Sequence, residues 1–242
     1  MRSIAFLTQK GGAGKTTLAA SLAAAAAGFG ERVVALDLDP QGSLVRWGKR
    51  RQAANAPHPL IVEPFELERL PRIGAVIDGL AAAGFTVAVF DTPGAHSIAV
   101  RHLADTVDLC LLPARPSRLD VEATAATFRA AYLANRRAAF VLNQCPATYR
   151  GWRASEAAKD LTSLGVLAEP MIFARMDFQD AIAAGLGVTE YDRDGRAAQE
   201  IAALWSWVCG RLEGVPHGTS VQDRVGAPAG LSERLARIRR TA

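Results

Sequence analysis

Nine consecutive residues near the start of the chain restrict its fold more than any other feature. Gln9-Lys10-Gly11-Gly12-Ala13-Gly14-Lys15-Thr16-Thr17 separates a short apolar run, residues 4–8, from an alanine-rich run, residues 15–28. A strand that enters a glycine-rich turn and leaves it as a helix is the context a phosphate-binding loop needs. Glycines let successive backbone N–H groups turn inward around an anion. The helix start adds unpaired donors and the positive end of its dipole. Lys15 then supplies a flexible point charge for the β- and γ-phosphates. The Thr16 hydroxyl is placed to ligate Mg²⁺. The strict pattern GxxxxGK[ST] would put glycine at position 9, where this chain has Gln9, and Lys10 follows it. The GKT core is kept and an extra lysine is added.

The rest of the chain repeats the alternation. Apolar runs at 32–37, 86–91, 108–112, 138–143 and 170–173 read as strands. Helices are expected at 71–83, 98–105, 120–134, 154–164, 178–184 and 196–212. Residues 59–65 (PLIVEPF) fit a short strand at a sheet edge, because their prolines cannot donate to a ladder. Strands apolar throughout and joined by helices imply a mostly parallel, twisted sheet with helices on both faces. The expected fold class is therefore α/β, a single P-loop NTPase-type domain over residues 1–213. Residues 214–230 turn rich in Gly, Pro and polar types and read as a linker. Residues 231–242 form a basic amphipathic tail with a short helix, in which Leu231, Leu235 and Ile238 share one face.

Composition excludes several classes. With three scattered cysteines and no CxxC pair among 242 residues, a disulfide framework or a cysteine-rich metal site is not expected. The N-terminal apolar run is too short for a signal peptide, and no stretch is long enough to span a bilayer, so a cytoplasmic protein is expected. Lys plus Arg number 28, and only Lys10, Lys15, Lys49 and Lys159 are lysine. Two of those four lie in the glycine-rich loop.

Acids sit where a sheet of this class binds ligands, at the C-terminal ends of strands. Asp37 and Asp39 end the second run, in VVALDLDPQG. Asp91 ends the third, in VAVFDTPG, and fits a ligand that holds Mg²⁺ through water. Asn143 ends a strand too, and fits either a contact to an adenine edge or a plain turn residue.

KGGAGKTT, residues 10–17, resembles the deviant Walker A box of the ParA/MinD family of ATPases. VVALDLDPQG, VAVFDTPG, LLPARPSRLD at 111–120 and the stretch 173–199 resemble further family segments, in order. The resemblance is to a small ParA without an N-terminal helix-turn-helix extension, so sequence-specific operator binding by that route is not expected. It implies ATP and Mg²⁺ as cofactors, cradled by Gly11, Gly12, Ala13, Gly14, Lys15, Thr16 and Thr17. It implies that Asp39 orients the attacking water, and that Asp37 supports the Mg²⁺ and γ-phosphate network beside Thr16 and Asp91. It implies a homodimer with ATP at its interface, in which Lys10 reaches the partner's nucleotide and stabilises the transferred phosphoryl group.

The resemblance also implies DNA binding without sequence preference, which needs charge rather than base readout. Arg46, Lys49, Arg50 and Arg51 form one basic cluster. Arg115, Arg118, Arg129, Arg136, Arg137, Arg150 and Arg153 form another. The leading expectation is a slow, switch-type ATPase on the nucleoid that partitions DNA or positions a cargo, released by a ParB-like or other adaptor. Two alternatives stay open: a MinD-like regulator whose tail lies on membranes, and an accessory ATPase of conjugative DNA transfer.

Overall fold

The computed structural model describes residues 1–94, 97–133, 137–147 and 152–212. Its elements alternate from the first strand. In chain order they are β1 (Arg2–Phe6), α1 (Lys15–Gly28), β2 (Val33–Asp37), α2 (Ser43–Ala53), β3 (Ile61–Pro64), a 3-10 turn (Leu67–Arg72), α3 (Ile73–Ala82), β4 (Val87–Asp91) and α4 (Ser97–Thr106). There follow β5 (Leu109–Ala114), α5 (Arg118–Leu133), β6 (Ala138–Leu142), α6 (Trp152–Leu164), α7 (Met176–Ala183), α8 (Val188–Tyr191) and α9 (Arg196–Leu212).

The strands pair in parallel in the order β3-β2-β4-β1-β5-β6. Helices cover both faces, as apolar strands with a period of two require. Ile4, Phe6, Val87, Val89, Leu109 and Leu111 point to the face covered by α1, α2, α7, α8 and α9. Ala5, Val34, Ala88, Phe90, Cys110 and Leu112 point to the face covered by α3, α4, α5 and α6. The single α/β domain with an all-parallel sheet is as the sequence implies. The chain leaves β1 toward β2 and β3, returns to β4, and crosses over β1 to β5. The reversal of strand order therefore lies beside β1, where a crevice opens above the strand ends.

α1 is buried nearly all round, from Leu18 to Ala27. Its side chains are mostly methyl groups, so the sheet, α8 and α9 approach it closely. At Gly187 an added Cβ would stand 2.4 Å from the Ala24 Cβ.

Three expectations are corrected. Residues 170–173 are not a strand; they carry one isolated bridge, Cys145↔Phe173, and another, Phe140↔Leu167, precedes them. Pro170 has no N–H to give a ladder there. Residues 43–53, passed over in the sequence, form α2, with Leu44 and Trp47 buried. α8 adds a single turn before α9. β3 does lie at the sheet edge beside β2. The linker at 214–230 and the tail helix at 231–242 lie outside the described residues. Among those described, no helix is long and apolar enough to cross a membrane.

Candidate nucleotide site

β1 delivers the chain into the loop and α1 takes it away at Lys15. Gly14 caps the helix in the left-handed region, with φ 90° and ψ 21°. Only glycine fits: a Cβ there would meet the Asn143 Nδ2 at 2.3 Å. Gly12 has φ 78°, and it and Gly11 form the exposed tip of the loop. Ala13 is buried beneath them. Lys15 is buried at the first turn, and Thr16 and Thr17 follow half-buried. Burial lowers the Lys15 pKa, while the charges of Asp91 and Asp39 pull the other way. A desolvated cation facing carboxylates is poised to receive a phosphate.

Strand register sets the acids. Phe6 of β1 pairs with Asp91 of β4, which pairs on its other side with Asp37 of β2. Asp91 is fully buried, and its Oδ2 accepts a 2.6 Å hydrogen bond from the Thr16 hydroxyl. Its Oδ1 is buried with no hydrogen-bond partner. Burial is the main reason its pKa is pushed up to about 7; Asp37 and Asp39 add to the rise, and Thr16 and Lys15 oppose it. An orphaned carboxylate oxygen beside a threonine hydroxyl fits a hard divalent cation, which takes oxygen ligands. Among the described residues no group of three or more His, Cys, Asp or Glu could hold a metal. A Mg²⁺ ion here would therefore draw most of its ligands from phosphate and water.

Asp37 is also buried, and burial raises its pKa. Its Oδ1 accepts the Asp39 N–H and its Oδ2 the Val45 N–H, both at 3.0 Å. It thus ties the loop after β2 to the start of α2, supporting Asp39 through the backbone. Asp39 is half-buried at the mouth of the crevice, where its Oδ1 accepts the Gln41 N–H at 2.9 Å. Gly42 then caps α2 with φ 63°.

Asn143, at the end of β6, donates from Nδ2 to the Ala13 carbonyl at 2.8 Å. Beside it, Gln144 Nε2 donates to the Gly12 carbonyl at 3.0 Å. Both amides brace the loop from outside. Asn143→Ala removes one brace and should lower nucleotide affinity about fivefold to tenfold, at a stability cost of about 1–3 kcal/mol. Titrating the variant with ATP and with GTP separates the two readings of this residue. Equal losses mark a brace, and loss of discrimination marks a base contact.

Lys10 lies at the edge of the loop, half-buried, with its Nζ 2.8 Å from Asp120 Oδ2. Asp120 sits in the first turn of α5 and is buried. Arg115 pairs with its other oxygen through Nε at 3.0 Å. The sequence places Arg115 only in a basic cluster, and the contacts of Asp120, Arg115 and Gln144 around the loop emerge from the structure. Asp120 closes LLPARPSRLD, and its place in that segment, after Pro113 of β5 and Pro116, was the available signal.

The basic clusters divide. Arg46, Lys49 and Arg50 of α2 are exposed, but Arg51 is buried and pairs at 2.5 Å with Glu190 of α8. Arg118, Arg137 and Arg153 are exposed and Arg115 half-buried. The side chains of Arg129, Arg136 and Arg150 lie outside the described residues.

Comparison with known proteins bears on the family and the fold. Residues 4–188 match the CobQ/CobB/MinD/ParA nucleotide binding domain. The chain is 34% identical over 216 residues to the maintenance of carboxysome distribution protein A of Gloeobacter kilaueensis, covering 88% of this chain and 94% of that one. An ATP complex of a Cyanothece McdA variant superposes with a TM-score of 0.67 at 16% identity, covering 91% of this chain and 99% of the other. The Mg-ADP complex of MinD from Pyrococcus horikoshii superposes with a TM-score of 0.66, also at 16% identity, covering 86% and 95%. At such identities these two structures speak to the fold alone.

Proposed function

The chain belongs to the CobQ/CobB/MinD/ParA nucleotide-binding family, and from that membership we propose that it is an ATP-switched positioning ATPase. ATP joins two copies into a sandwich dimer. The dimer binds DNA without sequence preference, and an adaptor on the cargo stimulates slow hydrolysis and so releases it. That places the protein in the cytoplasm, on the nucleoid.

The observation that carries this reading is the pair of lysines on one loop. Lys15 is buried where the phosphates enter. Lys10 is held at the edge of the loop by Asp120. The family resemblance gives this second lysine a use, at the nucleotide of a second copy. Within each site, the Gly11–Gly14 backbone and Lys15 would hold the β- and γ-phosphates. Thr16 and Asp91 would hold Mg²⁺, with Asp37 keeping the neighbouring loop in place. The metal would supply charge neutralisation on the phosphate oxygens. Asp39, open to the crevice, would orient the attacking water.

The relatives support the positioning role, since one is named for maintaining carboxysome distribution. Support for DNA binding comes from the exposed Arg46, Lys49 and Arg50 on α2 and Arg118 and Arg153 on the opposite face. No single one of them decides it, because phosphate contacts add. The test is a gel shift on random duplex DNA with ATP, with ADP and without nucleotide. Binding with ATP alone, weakening steeply as salt rises, is expected. Equal binding in all three states would overturn the switch.

A further inference from the structure

Lys10 shares Asp120 with a second cation. The Asp120 side chain is 3% exposed, and its two oxygens take different partners: Lys10 Nζ at 2.8 Å on Oδ2 and Arg115 Nε at 3.0 Å on Oδ1. The Ser117 hydroxyl also donates to Oδ2. Burial by itself would raise the Asp120 carboxyl. Hydrogen bonds from Lys10, Ser117 and Arg115, with the Arg115 charge, outweigh it and hold the group below the usual carboxylate range. Asp120 is therefore ionised and buried, and a buried charge stripped of its partners is strongly destabilising.

That creates a problem for the dimer. If Lys10 is to serve the nucleotide of a second copy, it must leave Asp120. With Lys10 as its one cation, its departure would strand a buried carboxylate, and the latch would oppose assembly. Arg115 removes the problem. Its guanidinium grips the oxygen that Lys10 does not use. Its Nη1 lies 3.9 Å from where a Cβ of Gly12 would be, so the same side chain adjoins the loop tip that Lys10 borders.

We infer that Arg115 is a positioning residue that keeps Asp120 neutralised when Lys10 crosses to the partner's nucleotide, and so makes the ATP dimer accessible. The inference rests on the sandwich-dimer reading above. It makes Asp120 a holder for Lys10 in the single copy and Arg115 the means of release. Arg115 acts through Asp120 and touches no reacting atom.

Sedimentation velocity of the full chain with ATP and Mg²⁺ tests it across a double-mutant cycle. Arg115→Ala should weaken dimerisation about tenfold, the loss of one charge-assisted contact to a buried carboxylate. Its affinity for ADP as a single copy should stay within about twofold of the unaltered chain, because Lys15 and Thr16 are untouched. Arg115→Lys should recover part of the loss. In an Asp120→Asn background, where there is no charge left to neutralise, Arg115→Ala should change dimerisation by less than about twofold. Unaltered dimerisation in Arg115→Ala would overturn the inference. So would a loss that persists undiminished beside Asp120→Asn, since Arg115 would then act on the partner directly. If the unaltered chain itself stays single with ATP, the sandwich-dimer reading fails, and that result is distinct from either of the other two.

Discussion

Replacing Lys15 with alanine should cost the protein its nucleotide. The Lys15 ammonium is buried at the first turn of α1, desolvated, with Asp91 and Asp39 as its charged neighbours. Phosphates entering the loop add negative charge to a site that already holds three acidic side chains, Asp37, Asp39 and Asp91. Without Lys15 only the loop N–H groups and the helix dipole oppose that repulsion. Affinity for ATP should fall at least about 100-fold, in line with roughly 3 kcal/mol or more for unpairing a buried charge. Titration calorimetry reads this directly. The nucleotide-free fold should survive, because Lys15 pays a desolvation cost in that state rather than anchoring the core. Affinity within about fivefold of the unaltered chain would show that the loop amides hold the phosphates without it.

Asp39→Ala should separate binding from hydrolysis. Asp39 stands half-buried near the start of the loop after β2, outside the Thr16–Asp91 contact, and its side chain accepts one backbone hydrogen bond, from the Gln41 N–H. Removing it leaves Lys15, Thr16 and Asp91 in place and takes one negative charge from the approach to the phosphates. ATP should bind as well or better. Hydrolysis should fall about 100-fold or more, the scale of losing a group that orients and activates water. The dimer should then accumulate, visible as a stable larger species in size-exclusion chromatography with ATP and Mg²⁺. Hydrolysis at the unaltered rate would refute the role given to Asp39.

What the sequence discloses about this site is its local part. The strand, the glycine turn and the helix are contiguous, so residues 9–17 carry their own context. Asp37 and Asp91 are legible as strand-end acids. That they stand side by side follows from register, which the sequence alone does not state. Asp120 is 110 positions from Lys10, and only the crossover of the chain over β1 brings the two together. α2 was hidden for a different reason. Its core-facing side offers Leu44, Trp47 and then Arg51, so the apolar period breaks at a cation. Arg51 is nonetheless buried, because Glu190 neutralises it and the His58 carbonyl accepts from its guanidinium. The run at 170–173 misled in the opposite sense, apolar enough for a strand but led by a proline.

Asp91 and Lys15 would register an arriving phosphate, but α1 decides how far the news travels. Ala19, Ala20 and Ala23 to Ala27 fill its interior positions, and alanine has no rotamer to adjust. A helix packed with leucine can absorb a small push by turning side chains. In this one only Leu18 and Leu22 among the buried apolar side chains have that freedom. Its neighbours α8 and α9 pack directly against those methyl groups, so the helix that carries Lys15 and Thr16 is seated backbone-close on the far side of the domain.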